Sequence, residues 1–352
     1  MRKGKPGYVE YLKRKQRRLE RHRIRRKAAH IHSVRSYVDI PAPDFTPHVE
    51  NNENVVSVVV PECFSILENP NQTIGFFNTL RRYITTGSHD KVIDFDFRGV
   101  HRLTIDALMY LAAIIKNTRS PSQYIKDYRG NMPIEKEPRE YFIRSGFLNF
   151  VHSRHKRIEP DETYIQIFFD KSNSDIVAPK RIVDFIANAS QVPNSKLRFL
   201  YEMIMEMETN SHEHAYSEIK DNSMGCNWLA YAEDAGEYYR FTFLDTGIGM
   251  YKTMNRKWHE FLRLGDSEAS CVISAFDGVL LRSKTKLKTR GNGLPSIKAI
   301  ATANKIQNLQ VISNKAFCRM ADANSGMAGH DVGNSLKGTI YYWEITKESL
   351  SA

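Results

Sequence analysis

The sequence has few cysteines and no close pair of them: Cys63, Cys226, Cys271 and Cys318 lie far apart, with no CxxC spacing. That excludes a disulfide framework and a cysteine-built zinc site, and it predicts reduced thiols. Long apolar runs are missing too. The longest candidate, Leu103 to Ile115, falls short of the roughly 18 residues needed to span a bilayer and carries Thr104 and Asp106. No apolar core of the secretory-signal type stands near the N-terminus. These absences predict a cytoplasmic protein without a membrane segment. A Walker P-loop is also absent, because GK[ST] occurs nowhere in the chain. Acidic residues are scarce in one place only. Residues 1–36 hold 14 Lys or Arg against Glu10 and Glu20, an excess of +12, whereas the other 316 residues carry 37 basic and 38 acidic side chains. The formal charge of +11 is therefore the property of one segment.

What is present is enough for globular cores. The chain has 352 residues, 41% hydrophobic and 11% aromatic, a size that favours two domains plus extensions. Residues 1–36 read as a basic arm. Its sharp reading is a segment that folds on an acidic partner, nucleic acid first, because each neutralised phosphate releases counterions. Its plain reading is a solvated tail, or one packed on a neighbouring subunit. Residues 37–54, with Pro41, Pro43 and Pro47, read as an extended linker. From residue 55 to 158, strands (Val55–Val60, Lys91–Phe97, near Tyr124–Lys126) alternate with helices (Thr73–Ile84, Thr104–Lys116, Glu137–Arg144), which implies a small sheet with helices packed on it. Residues 159–349 form a second region. Its expected strands are Tyr164–Phe169, a hairpin of Asn227–Asp234 and Glu237–Leu244 turning at Ala235-Gly236, Ile306–Ile312 and Gly338–Ile345. Its expected helices are Ala178–Ala189, Ser195–Tyr216 and Leu294–Ala303, and Tyr251–Arg290 reads as a polar, basic stretch.

Four short patterns in the second region carry chemistry, each weak alone. On the helix Ser195–Tyr216, Glu206, Asn210 and His214 recur every four residues and share one face. An amide oxygen can ligate Mg²⁺ without adding charge, and a carboxylate can take a proton from an attacking hydroxyl. Asp245-Thr-Gly247-Ile-Gly249 follows a strand. There an acid can accept from an exocyclic base amine, and the glycines let backbone approach a flat ring. Arg290-Gly291-Asn-Gly293-Leu294 precedes a helix, whose free N–H groups suit an anion. It is no dinucleotide fingerprint, since Ser296 stands at the third glycine position. Gly338-Thr339 opens the last strand.

In that order and spacing the four patterns resemble the GHKL ATPase family (gyrase, heat-shock chaperone, histidine kinase, mismatch repair), over more than half the chain. The resemblance implies an α/β sandwich ATP-binding domain at 159–349 that uses ATP and Mg²⁺. Asn210 would ligate Mg²⁺ and Glu206 would be the general base. Asp245 would bind the adenine amine, supported by Thr339 directly or through water, with Gly247 and Gly249 lining the adenine pocket. Arg290, Gly291, Gly293 and Leu294 would meet the phosphates, and Tyr251–Arg290 would be a mobile ATP lid. His214 matches a position often held by His in the anti-sigma-factor branch, and reads equally as a packing histidine. The first region is similar to STAS domains through Asp94-Phe-Asp-Phe-Arg-Gly-Val100, the helix from Thr104 and Ser145-Gly-Phe147. It departs from them at Ile105-Asp106-Ala107, where phosphorylated antagonists carry serine. Asp106 there has two readings, a mimic of a phosphoserine or simply a helix N-terminal acid favoured by the dipole, and the second is preferred.

The expected fold is thus a STAS-like α/β domain followed by a GHKL ATP-binding domain. The leading function is an ATP-hydrolysing switch, with protein partners at the STAS-like domain, nucleic acid at residues 1–36, and an ATP-dependent homodimer among its expected states. A serine/threonine kinase using the same pocket and a non-catalytic ATP-binding adaptor stay open. A sensor histidine kinase is disfavoured, because His212 lies within the ATP-binding helix itself.

Overall fold

The computed structural model describes residues 55–86, 91–117, 125–149, 164–170, 177–211, 227–258, 267–279 and 293–351. The chain divides into two units, residues 1–43 and 44–352, and every described residue belongs to the second. The basic arm and the linker lie outside the described residues. The protein is mixed α/β, with one parallel and one antiparallel sheet of three or more strands. Among the described residues no helix is long and apolar enough to cross a membrane.

The first sheet is parallel, in the order β1 (Val55–Val59), β3 (Lys91–Asp96), β5 (Ile125–Gly130). Parallel neighbours need long crossovers, and two helices supply them: α1 (Pro70–Thr86) and α2 (Ile105–Asn117). A two-stranded parallel pair, β2 (Cys63–Phe64) with β4 (Arg102–Leu103), lies beside them. Helix α3 (Lys136–Arg144) and a 3-10 turn at Phe147–Asn149 close this part. Every residue from Ala107 to Ile115 is buried. A helix apolar on all sides must be covered on all sides. Helix α2 meets that need by contacting two strands of the second sheet, Asn227–Asp234 and Tyr238–Asp245. The apolar run that is too short for a membrane is therefore a core helix.

The second sheet is antiparallel, in the order β6 (Tyr164–Asp170), β7 (Asn227–Asp234), β8 (Tyr238–Asp245), β10 (Ala328–Thr346), β9 (Gln307–Met320). Side chains alternate between its faces with period two. Trp228, Ala230, Phe241, Phe243, Val311, Tyr341 and Trp343 enter one core together with helices α4 (Val177–Ser190), α5 (Arg198–Asn210), α7 (Glu268–Phe276) and α8 (Gly293–Thr302). Leu229, Tyr231, Leu244, Ile312, Leu336 and Ile340 enter the other, shared with Phe77, Leu108 and Leu111 of the first region. The two sheets are thus joined through a common hydrophobic core. Burying each such side chain contributes about 1.5–3 kcal/mol, so parting them would expose a large share of the stabilising surface.

Three stretches of the second region differ from the sequence reading. Strands β9 and β10 run to 14 and 19 residues, well past Ile312 and starting well before Gly338, with bulges between Asp331 and Leu336 and again before Thr339. Within Tyr251–Arg290, helices α6 (Met250–Trp258) and α7 form, and α7 buries Ala269, Cys271, Val272, Ala275 and Phe276. That part of the expected lid is core; its apolar face is made largely of small residues, which the neighbouring Lys and Arg obscured. The helix expected from Ser195 begins as a 3-10 turn at Asn194–Leu197 before α5, and residues 212–216 lie outside the described residues.

Candidate functional site

Asp245 ends β8 and faces the helical layer, because Phe241 and Phe243, at the same phase of the strand, lie in that core. Its cross-strand neighbours are Thr339 on β10 and Trp228 on β7, and Thr339 is opposite Ser313 on β9. The result is a row across four strands: Ser313, Thr339, Asp245, Trp228. All four are buried.

The row is held by hydrogen bonds. Gly247 N–H donates to Asp245 Oδ1 at 2.8 Å, folding the Asp245–Gly249 segment back on its own carboxylate. Burial pushes the Asp245 carboxyl up to about 7; the Gly247 N–H and the hydroxyl and N–H of Thr339 act against that rise by favouring the charged form. Ser313 Oγ lies 3.0 Å from Thr339 Oγ1, accepts from Met250 N–H at 2.8 Å, and lies 3.1 Å from Gly338 O as a donor.

Two glycines are required by space. At Gly338 (φ +109°) a Cβ would fall 2.0 Å from Asp245 O, so any side chain would part β10 from β8. At Gly249 (φ +86°) a Cβ would fall 2.4 Å from Asn314 Oδ1. The Asn314 amide fills that space. It donates to Ile248 O at 2.9 Å and to Leu336 O at 3.3 Å, and accepts from Lys252 N–H at 3.2 Å. Gly247, by contrast, acts through its N–H on the Asp245 carboxylate.

A second cluster forms where α5 meets α8. Leu200, Met203, Ile204 and Met207 bury one face of α5. Glu206 and Asn210 lie on another, beside the first residue of α8. A Cβ at Gly293 would fall 2.6 Å from Glu206 Oε2 and 3.4 Å from Asn210 Nδ2. The glycine lets a carboxylate and an amide approach a helix N-terminus, where free N–H groups and the dipole favour anions. Among the described residues, Asn210 Nδ2 is buried there without a hydrogen-bond partner. Leu294 packs half-buried against the core that holds α5 and the row side of the sheet. Arg290, Gly291 and His214 lie outside the described residues.

The structure therefore groups Asp245, Gly247, Gly249 and Thr339 at one strand end, and Glu206, Asn210 and Gly293 at one helix contact, on the same face of the same sheet. An open groove lined by Phe276, Asp277, Pro295, Lys298, Ala299 and Thr302 runs along α8 and includes none of these residues. Among the described residues no group of three or more His, Cys, Asp or Glu is placed to hold a metal ion. A cation here would thus rely on the Asn210 amide and on oxygens of a ligand, a donor set typical of Mg²⁺ bound with phosphates.

Sequence reasoning missed Ser313 and Asn314. Asn314 has φ +55°, a conformation that asparagine tolerates, and it stands in a run (Val311-Ile-Ser-Asn-Lys315) that otherwise reads as plain strand. Two polar residues amid β-branched ones was the available signal. Comparison with known protein families finds no match to the chain, and no curated protein matches it either.

Proposed function

We propose that residues 159–349 form a GHKL-type Mg-ATP site joined to a STAS-like domain, and that the protein is an ATP-hydrolysing conformational switch. The observation that carries this reading is convergence. Patterns distant in sequence meet in two clusters on one face of one sheet, Asp245, Gly247, Gly249 and Thr339 at a strand end and Glu206, Asn210 and Gly293 at a helix contact, and these suit adenine and phosphates respectively. The parallel sheet with α1 and α2 supports the STAS-like part.

In this reading Asp245 accepts the exocyclic amine of adenine, and the N-terminus of α8 receives phosphate oxygens. Mg²⁺, bound by Asn210, would neutralise phosphate charge. Glu206 takes a proton from water as the water oxygen bonds to the γ-phosphorus; the bond to the bridging oxygen breaks and ADP leaves with the electron pair. Residues 1–36 would hold an acidic partner, nucleic acid first.

Incubation with γ-labelled ATP tests the class of activity. Free phosphate is expected; labelled protein would instead identify a protein kinase, and ATP binding without either product an adaptor. Glu206→Ala should keep Mg-ATP binding and abolish turnover. Unchanged turnover in that variant would overturn the assignment of the base.

A further inference from the structure

We infer that Ser313 and Asn314, adjacent on β9, are positioning residues of this site: Ser313 ties Thr339, the cross-strand neighbour of Asp245, to the start of α6, and Asn314 sets the path of the Gly247–Gly249 turn. The inference rests on the nucleotide-site reading and extends it to a strand that carries none of the expected site residues.

Adjacent strand residues normally project to opposite faces, so two neighbours rarely serve one site. Here they do, because Asn314 adopts φ +55° at an irregular point of the β9–β10 register. Ser313 keeps the phase of the strand and stands opposite Thr339. Its oxygen accepts from Met250 N–H at the start of α6, its proton goes to Gly338 O, and it stands 3.0 Å from Thr339 Oγ1, a contact in which either hydroxyl can donate. One hydroxyl thus ties the helix after the turn to the strand that carries Thr339, the cross-strand neighbour of Asp245.

Asn314 works on the turn itself. Its amide nitrogen holds Ile248 O, between the two glycines, and Leu336 O, two residues before Gly338; its oxygen holds Lys252 N–H. The turn after Asp245 and the bulge before Thr339 are therefore fastened to the same buried side chain, which has no measurable exposure. Gly249 has no Cβ because this amide occupies its place.

The experiment uses the full chain and two readouts: titration with Mg-ATP, and amide hydrogen exchange over residues 247–253 without nucleotide. Ser313→Ala should weaken Mg-ATP binding by about tenfold, the loss of one buried hydrogen bond, and Ser313→Thr should restore it. Asn314→Gly keeps the positive φ and removes only the amide. It should speed exchange across 247–253 and weaken binding while the rest of the protein exchanges as in the wild type. Wild-type affinity in Ser313→Ala, no recovery in Ser313→Thr, or unchanged exchange in Asn314→Gly would each overturn the positioning role. Wild-type protein that takes up no Mg-ATP would sink the nucleotide-site reading itself, and this inference with it.

Discussion

The hydroxyl of Tyr110, on the buried helix α2, donates to the carbonyl of Lys337 at 2.8 Å, one residue before Gly338. Helix α1 grips the same stretch: Asn71 Oδ1 accepts from Gly333 N–H at 2.7 Å, and Asn78 Nδ2 donates to Ser335 O at 3.2 Å. The bulged part of β10 that leads to Thr339 is thus braced from the first region. In the proposed switch this brace would be the path from the first region to the site. Tyr110→Phe should cost about 1–3 kcal/mol, because it removes the donor from a buried carbonyl. Denaturant unfolding measures that cost. Titration of the variant should also show weaker Mg-ATP binding, and full-strength binding would mean that the brace is mechanical only.

The pH dependence has two opposite signs at Asp245. Its carboxyl is raised from 3.8 to about 7 by burial, so the folded protein holds the proton more tightly than the unfolded chain does. Its contribution to stability is therefore greatest below the unfolded value, and declines as pH rises through about 7. Adenine binding runs the other way, since an ionised carboxylate accepts from the amine more strongly than a protonated one. Affinity for Mg-ATP should rise between about pH 6 and about pH 8. Asp245→Asn should weaken binding and flatten that profile. Titrations across the range check both parts, and normal affinity in the variant would count against the pocket.

Two glycines with similar backbone separate strain from collision. Gly236 (φ +92°), in the β7–β8 hairpin, has open space where a Cβ would stand, whereas a Cβ at Gly338 (φ +109°) would meet Asp245 O at 2.0 Å. Gly236→Ala should cost about 1–2 kcal/mol, the penalty of a left-handed conformation. Gly338→Ala should cost about 3 kcal/mol or more, because backbone cannot yield as a side chain would. Thermal unfolding of the two variants gives the difference.

Strongly patterned elements were legible in the sequence. The Asp245 turn follows its strand, and Glu206 and Asn210 share a helix with four buried apolar residues on another face. What escaped was non-local. Helix α2 reads as an apolar helix, but no local pattern announces which second sheet covers it. Helix α7 was hidden because its buried stripe, Ala269, Cys271, Val272, Ala275 and Phe276, is short and largely Ala and Cys, although Ser267 caps it by accepting from Ser270 N–H. Ser313 and Asn314 were unreadable for a different reason: their partners come from two distant stretches, 248–252 and 336–339, which only the folded sheet brings together.

Asp106 shows how burial decides a role that sequence leaves open. It sits in the first turn of α2, as a helix N-terminal acid should, but at 2% exposure it is closed to any docking partner. Its Oδ2 accepts from Ile66 N–H at 2.6 Å and from Leu67 N–H at 3.2 Å, pinning the loop after β2 to α2. Burial raises its carboxyl, and those N–H groups act against the rise. The residue therefore satisfies buried backbone and does not imitate a phosphoserine. Asp106→Ala would leave two buried donors without an acceptor, and should destabilise the protein by about 1–3 kcal/mol for each. Asp106→Asn keeps an acceptor oxygen and should recover much of that loss. Denaturant midpoints of the pair test this, and a wild-type midpoint for Asp106→Ala would return the carboxylate to the surface role that the fold denies it.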